Sequence, residues 1–239
     1  MKWMLLSTAL FAALSFQAKA AELVVIASTA PGIAAGAMIE AGAKVTVPKG
    51  ASVTLVSQSG KAVTLSGPFS GVPDVGGGGG AKGGGDLVKS LAGLVSGGGK
   101  SSESLGAMRA APGSLAARPD DPWVINVGRP GNQCAPGKGK VRLWRGKSLK
   151  AVELKLKNLS DKSRSESAWP AGASKLDWPK NFPLIDDGAY MARLKGSRKA
   201  AKIVIHLVPD DLPTDAHKAV WMAKKGCVGQ ARLLLGFIR

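Results

Sequence analysis

Two cysteines and two histidines carry the most reactive side chains of this 239-residue chain: Cys134, Cys227, His206 and His217. Cys227 and His217 lie ten residues apart and match, by type, a thiolate nucleophile and the imidazole that moves its proton. Lys224 and Lys225 precede Cys227 and would favour its thiolate. An exported chain with an even cysteine count points first to a disulfide between Cys134 and Cys227. That bridge would close a loop of roughly 90 residues and stabilise the fold by about 4–5 kcal/mol in the chain-entropy model. The histidines show no H-x-x-x-H spacing, so neither a metal site nor a cofactor is expected. Asp186-Asp187 and Asp210-Asp211 are neighbours beside Gly188, Pro209 and Pro213. Adjacent turn acids do not face each other across a bond as the two carboxylates of a glycosidase must, so turn chemistry accounts for them.

No G-x-S-x-G elbow is present. The S-H-G-C-x-R signature of secreted L,D-type cell-wall transpeptidases is missing as well, because the text reads Lys224-Lys225-Gly226-Cys227-Val228-Gly229. Binding is the better supported chemistry. Five tryptophans (Trp123, Trp144, Trp169, Trp178 and Trp221) fall in the C-terminal half. Most read as core anchors, whereas Trp169 and Trp178, each followed by Pro, are the candidates for stacking on a sugar or peptide ligand. Charge is just as uneven. The chain holds 33 basic and 16 acidic residues, yet residues 21–74 balance to zero, while residues 119–239 carry 23 basic against 11 acidic residues, a balance of +12. Such a region attracts polyanions in a salt-dependent way. Lys138, Lys140, Arg142, Arg145 and Lys147 form the densest cluster and are the candidate anion-binding residues.

The elements that must position these groups fall into four segments. Residues 1–20 have a basic start, an apolar stretch and Ala18-Lys19-Ala20, which is the pattern of a secretory signal peptide cleaved after Ala20. The apolar stretch spans about 21 Å as a helix, too short for a bilayer core of about 30 Å. No later segment is apolar for long enough, so no transmembrane segment is expected in the mature chain. The compartment is therefore expected to be the periplasm. There the polyanions are phospholipid head groups, lipopolysaccharide and peptidoglycan, and nucleic acid is not an expected partner. Residues 75–118 contain fourteen glycines and read as a linker. Within it Leu87, Leu91, Leu94 and Val95 recur at helical spacing behind Asp86, and residues 101–111 suggest a second short docking element. Residues 119–239 read as a basic, disulfide-closed α+β domain: an antiparallel sheet closed by a C-terminal helical hairpin. Its strands are expected at residues 123–127, 141–144, 152–157, 189–195 and 202–208, with loops across 160–187. A helix capped by Thr214 and stopped by Gly226 precedes a second over residues 228–238. His217, in the first turns of that helix, is expected to point to solvent.

Residues 21–74 are expected to form a small all-β module. Glu22 to Ser28 is a β-branched run suited to a buried strand. Residues 33–43 read as a small-residue bridge, and Pro68 and Pro73 end the module. Between them three short runs, 44–47, 52–57 and 61–65, recur about every nine residues between Pro-Lys-Gly and Gln-Ser-Gly turns, with Val45, Val47, Val53, Leu55, Val63 and Leu65 on one face. The stretch VPKGASVTLVSQSGKAVTLSGP resembles the FecR-like periplasmic domain of bacterial envelope signalling proteins. That resemblance implies a binding or scaffolding role in envelope signalling or cell-envelope assembly, with the module contacting an envelope membrane protein or the cell wall. FecR-type regulators are membrane-anchored with a cytoplasmic segment, and neither shows here, so the implied role is that of a soluble, non-enzymatic accessory. The alternatives are a peptidoglycan- or lipopolysaccharide-binding module and a Cys227-dependent cell-wall enzyme.

Overall fold

The computed structural model describes residues 22–40, 42–75, 84–97, 119–146 and 150–238. The signal-peptide segment, residues 101–111 and Lys147 lie outside them. Among the described residues no helix is long and apolar enough to cross a membrane.

The N-terminal module has six short strands: β1 (Glu22–Ser28), β2 (Met38–Glu40), β3 (Val45–Val47), β4 (Ser52–Ser57), β5 (Ala62–Ser66) and β6 (Phe69–Gly71). They form a four-stranded sheet, β2-β1-β4-β5, and a separate β3–β6 pair. The alternation works as the sequence requires. Val45, Val47, Val53, Leu55 and Leu65 are buried in one cluster, with Val63 half-buried against it. Strands β2 and β6 arise where the sequence suggested a bridge and a terminator, because each completes the backbone pairing of a stronger neighbour, β1 and β3. Strand β1 is buried on both faces: Leu23 and Val25 join that cluster, whereas Val24 and Ile26 face the other way with Val56.

Helix α1 (Gly84–Ser96) covers that second face. Its Leu87, Leu91 and Leu94 are buried at the expected helical spacing, Val95 is half-buried beside them, and Val88 joins the buried face. Asp86 sits in the first turn instead of at the cap, where its charge still meets the positive helix end.

The C-terminal half contains β7 (Val124–Asn126), β8 (Gly131–Pro136), β9 (Arg142–Trp144), β10 (Val152–Asn158), β11 (Arg164–Trp169), β12 (Lys175–Asp177), β13 (Gly188–Leu194), β14 (Ala201–Val208), α2 (Asp215–Lys224) and α3 (Val228–Leu235). The chain is thus an α+β protein, closed by a helical pair as its sequence indicates. Its larger sheet, β11-β10-β13-β14-β8, is mixed and not purely antiparallel, since β8 joins β14 in parallel. A three-stranded sheet, β12-β9-β7, also holds a parallel pair, β7 with β9. One face of the large sheet packs against the small one through Leu154, Leu156, Ile203, Ile205, Ile125 and Leu143.

Among the described residues the other face is covered at its β14–β8 end alone. There Cys134 and Val208 meet α2 and α3, and this core continues without a break into α1 and the N-terminal sheet. Thr214 caps α2, and its side chain accepts a hydrogen bond from the His217 backbone N–H. Gly226 ends α2 with φ +85°, and a Cβ there would lie 2.6 Å from Asn132 Nδ2. The β4–β5 turn reaches the same helix: a Cβ on Gly60 would collide with Thr214 and with the His217 ring. His217 is therefore half-buried between the two halves, with Nδ1 2.9 Å from Thr214 Oγ1, and does not point to solvent. Burial lowers its pKa.

Candidate functional site

The reactive residues are committed to structure. Cys134 and Cys227 form a disulfide with Cα atoms 5.9 Å apart, and both cysteines are buried. The bridge ties β8 to the start of α3. Gln230 reinforces it from the first turns of α3. Its amide nitrogen donates to the carbonyls of Pro122 and Cys134, and its side-chain oxygen accepts from the Cys134 backbone N–H. No sulfur is left to attack a substrate, and His217 faces Thr214 instead of Cys227.

His206 is the cross-strand partner of Cys134 and is likewise buried. Its Nδ1 lies 2.5 Å from Asp187 Oδ1 and its Nε2 3.0 Å from Asn132 Oδ1. A general base needs a ring nitrogen aimed at substrate, and here both nitrogens are occupied by protein. Asp187 also takes Lys225 Nζ at 3.0 and 3.1 Å. The hydrogen bond from His206, then that from Lys225, holds its carboxyl below the usual range. Its φ is +56°, which Asp tolerates better than most residues. Asp186 Oδ1 accepts from the backbone N–H of Asp187 and of Leu207, which is the turn role expected of an adjacent pair. Asn132, His206, Asp187 and Lys225 thus form a clasp joining β8, β14, the β13 turn and the end of α2. Among the described residues no cluster of His, Cys, Asp and Glu could hold a metal.

The ligand-stacking assignment does not survive for Trp169. Its side chain is fully buried in the core between the two C-terminal sheets, and its indole N–H donates to Ala173 O at 3.0 Å. Trp178 is half-buried, stacks edge-on against Tyr190 at 5.2 Å, and donates to Phe182 O. The Pro that follows each ring marks a chain turning over the core, not a ring offered to solvent. Arg145 is the second correction. It is only 5% exposed, lies 5.1 Å above the Trp169 ring, and donates to the carbonyls of Ala173, Pro170 and Lys150. Three loop carbonyls replace the water that a guanidinium ordinarily keeps. Lys138 is exposed but pairs with Asp210 at 3.5 Å. Lys140 and Arg142 are exposed, with Arg142 opposite Asp177 in the β12–β9 ladder.

A different basic surface appears on the open part of the large sheet. Glu153, Lys155 and Lys157 point outward from β10, as their alternation requires. Register then sets Arg164 of β11 opposite Lys157, Met191 of β13 on the other side of Lys157, and Lys202 of β14 opposite Met191. The next row holds Glu166, Lys155 and Arg193. Lys155 is neutralised by Glu166 at 2.7 Å and Glu153 at 3.1 Å, and these bonds, Glu166 first, hold its ammonium above the usual lysine range. Lys157, Arg164, Arg193 and Lys202 lie within ion-pair distance of no acid among the described residues. Like charges directly opposite each other on a sheet repel, so the Lys157–Arg164 pair costs the fold stability. No single stretch of sequence signals this row, because its members are brought together only by strand register.

No family model and no curated relative matches the chain, so its own geometry carries the functional argument.

Proposed function

We propose that the chain is an exported, periplasmic accessory protein without catalysis of its own. It holds an anionic partner of the cell envelope through its basic C-terminal half and contacts an envelope membrane protein through its FecR-like β module. The observation that carries this reading is the row of unneutralised cations on an exposed sheet face, kept despite its internal repulsion. The disulfide supports export, since such bonds persist in oxidising compartments. A carbohydrate-stacking role is less supported, because Trp169 is fully buried and Trp178 is half-buried with one ring face set against Tyr190.

Pull-down from envelope fractions at low and high salt tests the reading. Capture of envelope material that weakens as salt rises is the expected result. A chain that retains nothing at low salt would overturn it.

A further inference from the structure

We infer that the open face of the large sheet docks flat on an anionic phospholipid surface. This rests on the anion-binding reading above and names its partner. The contact row runs from Arg164 on β11, through Lys157 on β10 and Met191 on β13, to Lys202 on β14. Three inter-strand steps make it about 14 Å long. Arg193 lies two residues along β13 from Met191 and on the same face, which widens the patch by about 7 Å. The cations therefore occupy a plane instead of lining a cleft.

That geometry selects among polyanions. A nucleic-acid strand or a glycan held by such a face would rest its bases or sugars on rings. The open part of this face presents no exposed ring: its residues are Glu153, Lys155, Lys157, Arg164, Glu166 and Ala168, then Ala189, Met191, Arg193, Lys202 and Val204, while His206 and Val208 farther along β14 are buried. A bilayer of acidic lipids presents phosphates in a plane and needs no pocket. Arg164 and Arg193 can each meet a phosphate with two parallel N–H donors. Phosphates between Lys157 and Arg164 would also relieve their repulsion, which gives the lipid-bound form a differential advantage over the free one. Met191, half-buried in the middle of the row, offers too little apolar surface to insert, so attachment is electrostatic and reversible.

The test uses the processed full chain and vesicles of phosphatidylcholine with and without phosphatidylglycerol, read by co-sedimentation across a salt series. Purified peptidoglycan sacculi serve as the competing surface. The variant K157Q/R164Q/K202Q removes the row, and K138Q/K140Q/R142Q removes an equal charge elsewhere. Circular dichroism establishes that both are folded. Each cation near an anionic membrane contributes roughly a fivefold gain in affinity, so the row variant should lose on the order of a hundredfold. The expected result is binding to phosphatidylglycerol vesicles that falls with salt, is lost in the row variant, and largely persists in the control variant. Equal losses in the two variants would overturn the inference by reducing it to net charge. Binding to sacculi with none to vesicles would also overturn it, while leaving the broader anion-binding reading intact. Binding to neither surface, nor to envelope fractions, would end both.

Discussion

Leu91 tests whether the two halves are one folding unit. Its side chain is fully buried on α1, in a cluster that also contains Val24, Ile26 and Val56 from the N-terminal sheet and Val208, Met222 and Leu234 from the C-terminal half. The C-terminal end of α1 is held by α3 as well, through the Arg232 side chain donating to Leu94 O at 3.0 Å. Truncation to Ala at such a site removes transferable apolar surface and leaves a cavity, at about 3–5 kcal/mol. With a urea m value of about 3 kcal/mol/M for a chain of this size, the midpoint should fall by about 1–1.7 M. The reporter is already in place. Five tryptophans lie between residues 123 and 221, and W3F removes the sixth. Tryptophan emission therefore follows only the C-terminal half, whereas far-ultraviolet circular dichroism follows both. A shared core requires the Leu91→Ala shift to appear equally in both signals. If the tryptophan transition stays at its wild-type midpoint while part of the dichroism melts early, the halves are independent and the continuous core is refuted.

Arg145→Met should cost about 3 kcal/mol, because three carbonyls lose a charged donor inside the protein; an unchanged denaturation midpoint would refute the packing role. Replacing both cysteines by Ala removes a cross-link between residues 93 apart, worth about 4–5 kcal/mol in the chain-entropy model. If reductant and the double substitution both leave the midpoint unmoved, the bridge is not stabilising. His217 gives the pH dependence. Burial lowers its folded pKa below the unfolded value near 6.5, so the unfolded chain binds more protons as pH falls through that value. Stability from this group is therefore full above about pH 6.5 and declines below it, until the folded protein also takes up the proton. His217→Gln should flatten that part of a midpoint-against-pH curve, and an unchanged slope would remove His217 as its source.

What the sequence made legible was whatever is repeated locally. The alternation in β3 and β10, the Thr214 cap, the Gly226 stop and the leucines of α1 each carry their periodicity within a few residues, and each recurs in the fold. The misses share one property: the deciding partner is far away in the chain. Strand β8 reads GNQCAP, with no β-branched residue, and is a strand because β14 and Gln230 supply its hydrogen-bond partners. Strand β11 reads RSESAW, polar because it is an edge strand paired only with β10. His217 looked like a surface histidine until Gly60, in another module, packed against it.

The same logic separates charge density along the chain from charge gathered on one face of the fold. In the dense stretch of residues 138–147, Lys138 is paired and Arg145 is buried under its loop carbonyls. In the sparse strands, Lys157, Arg164 and Lys202 are spread over 45 positions, yet three steps of register set them side by side. A linear count of lysines weighs neighbours in sequence, whereas an anionic surface meets neighbours in space. A sheet makes the two differ most, because residues of one strand alternate faces while residues of adjacent strands share one. The charge of +12 in residues 119–239 counts the cations, and the hydrogen-bond ladder decides which of them stand together on one face.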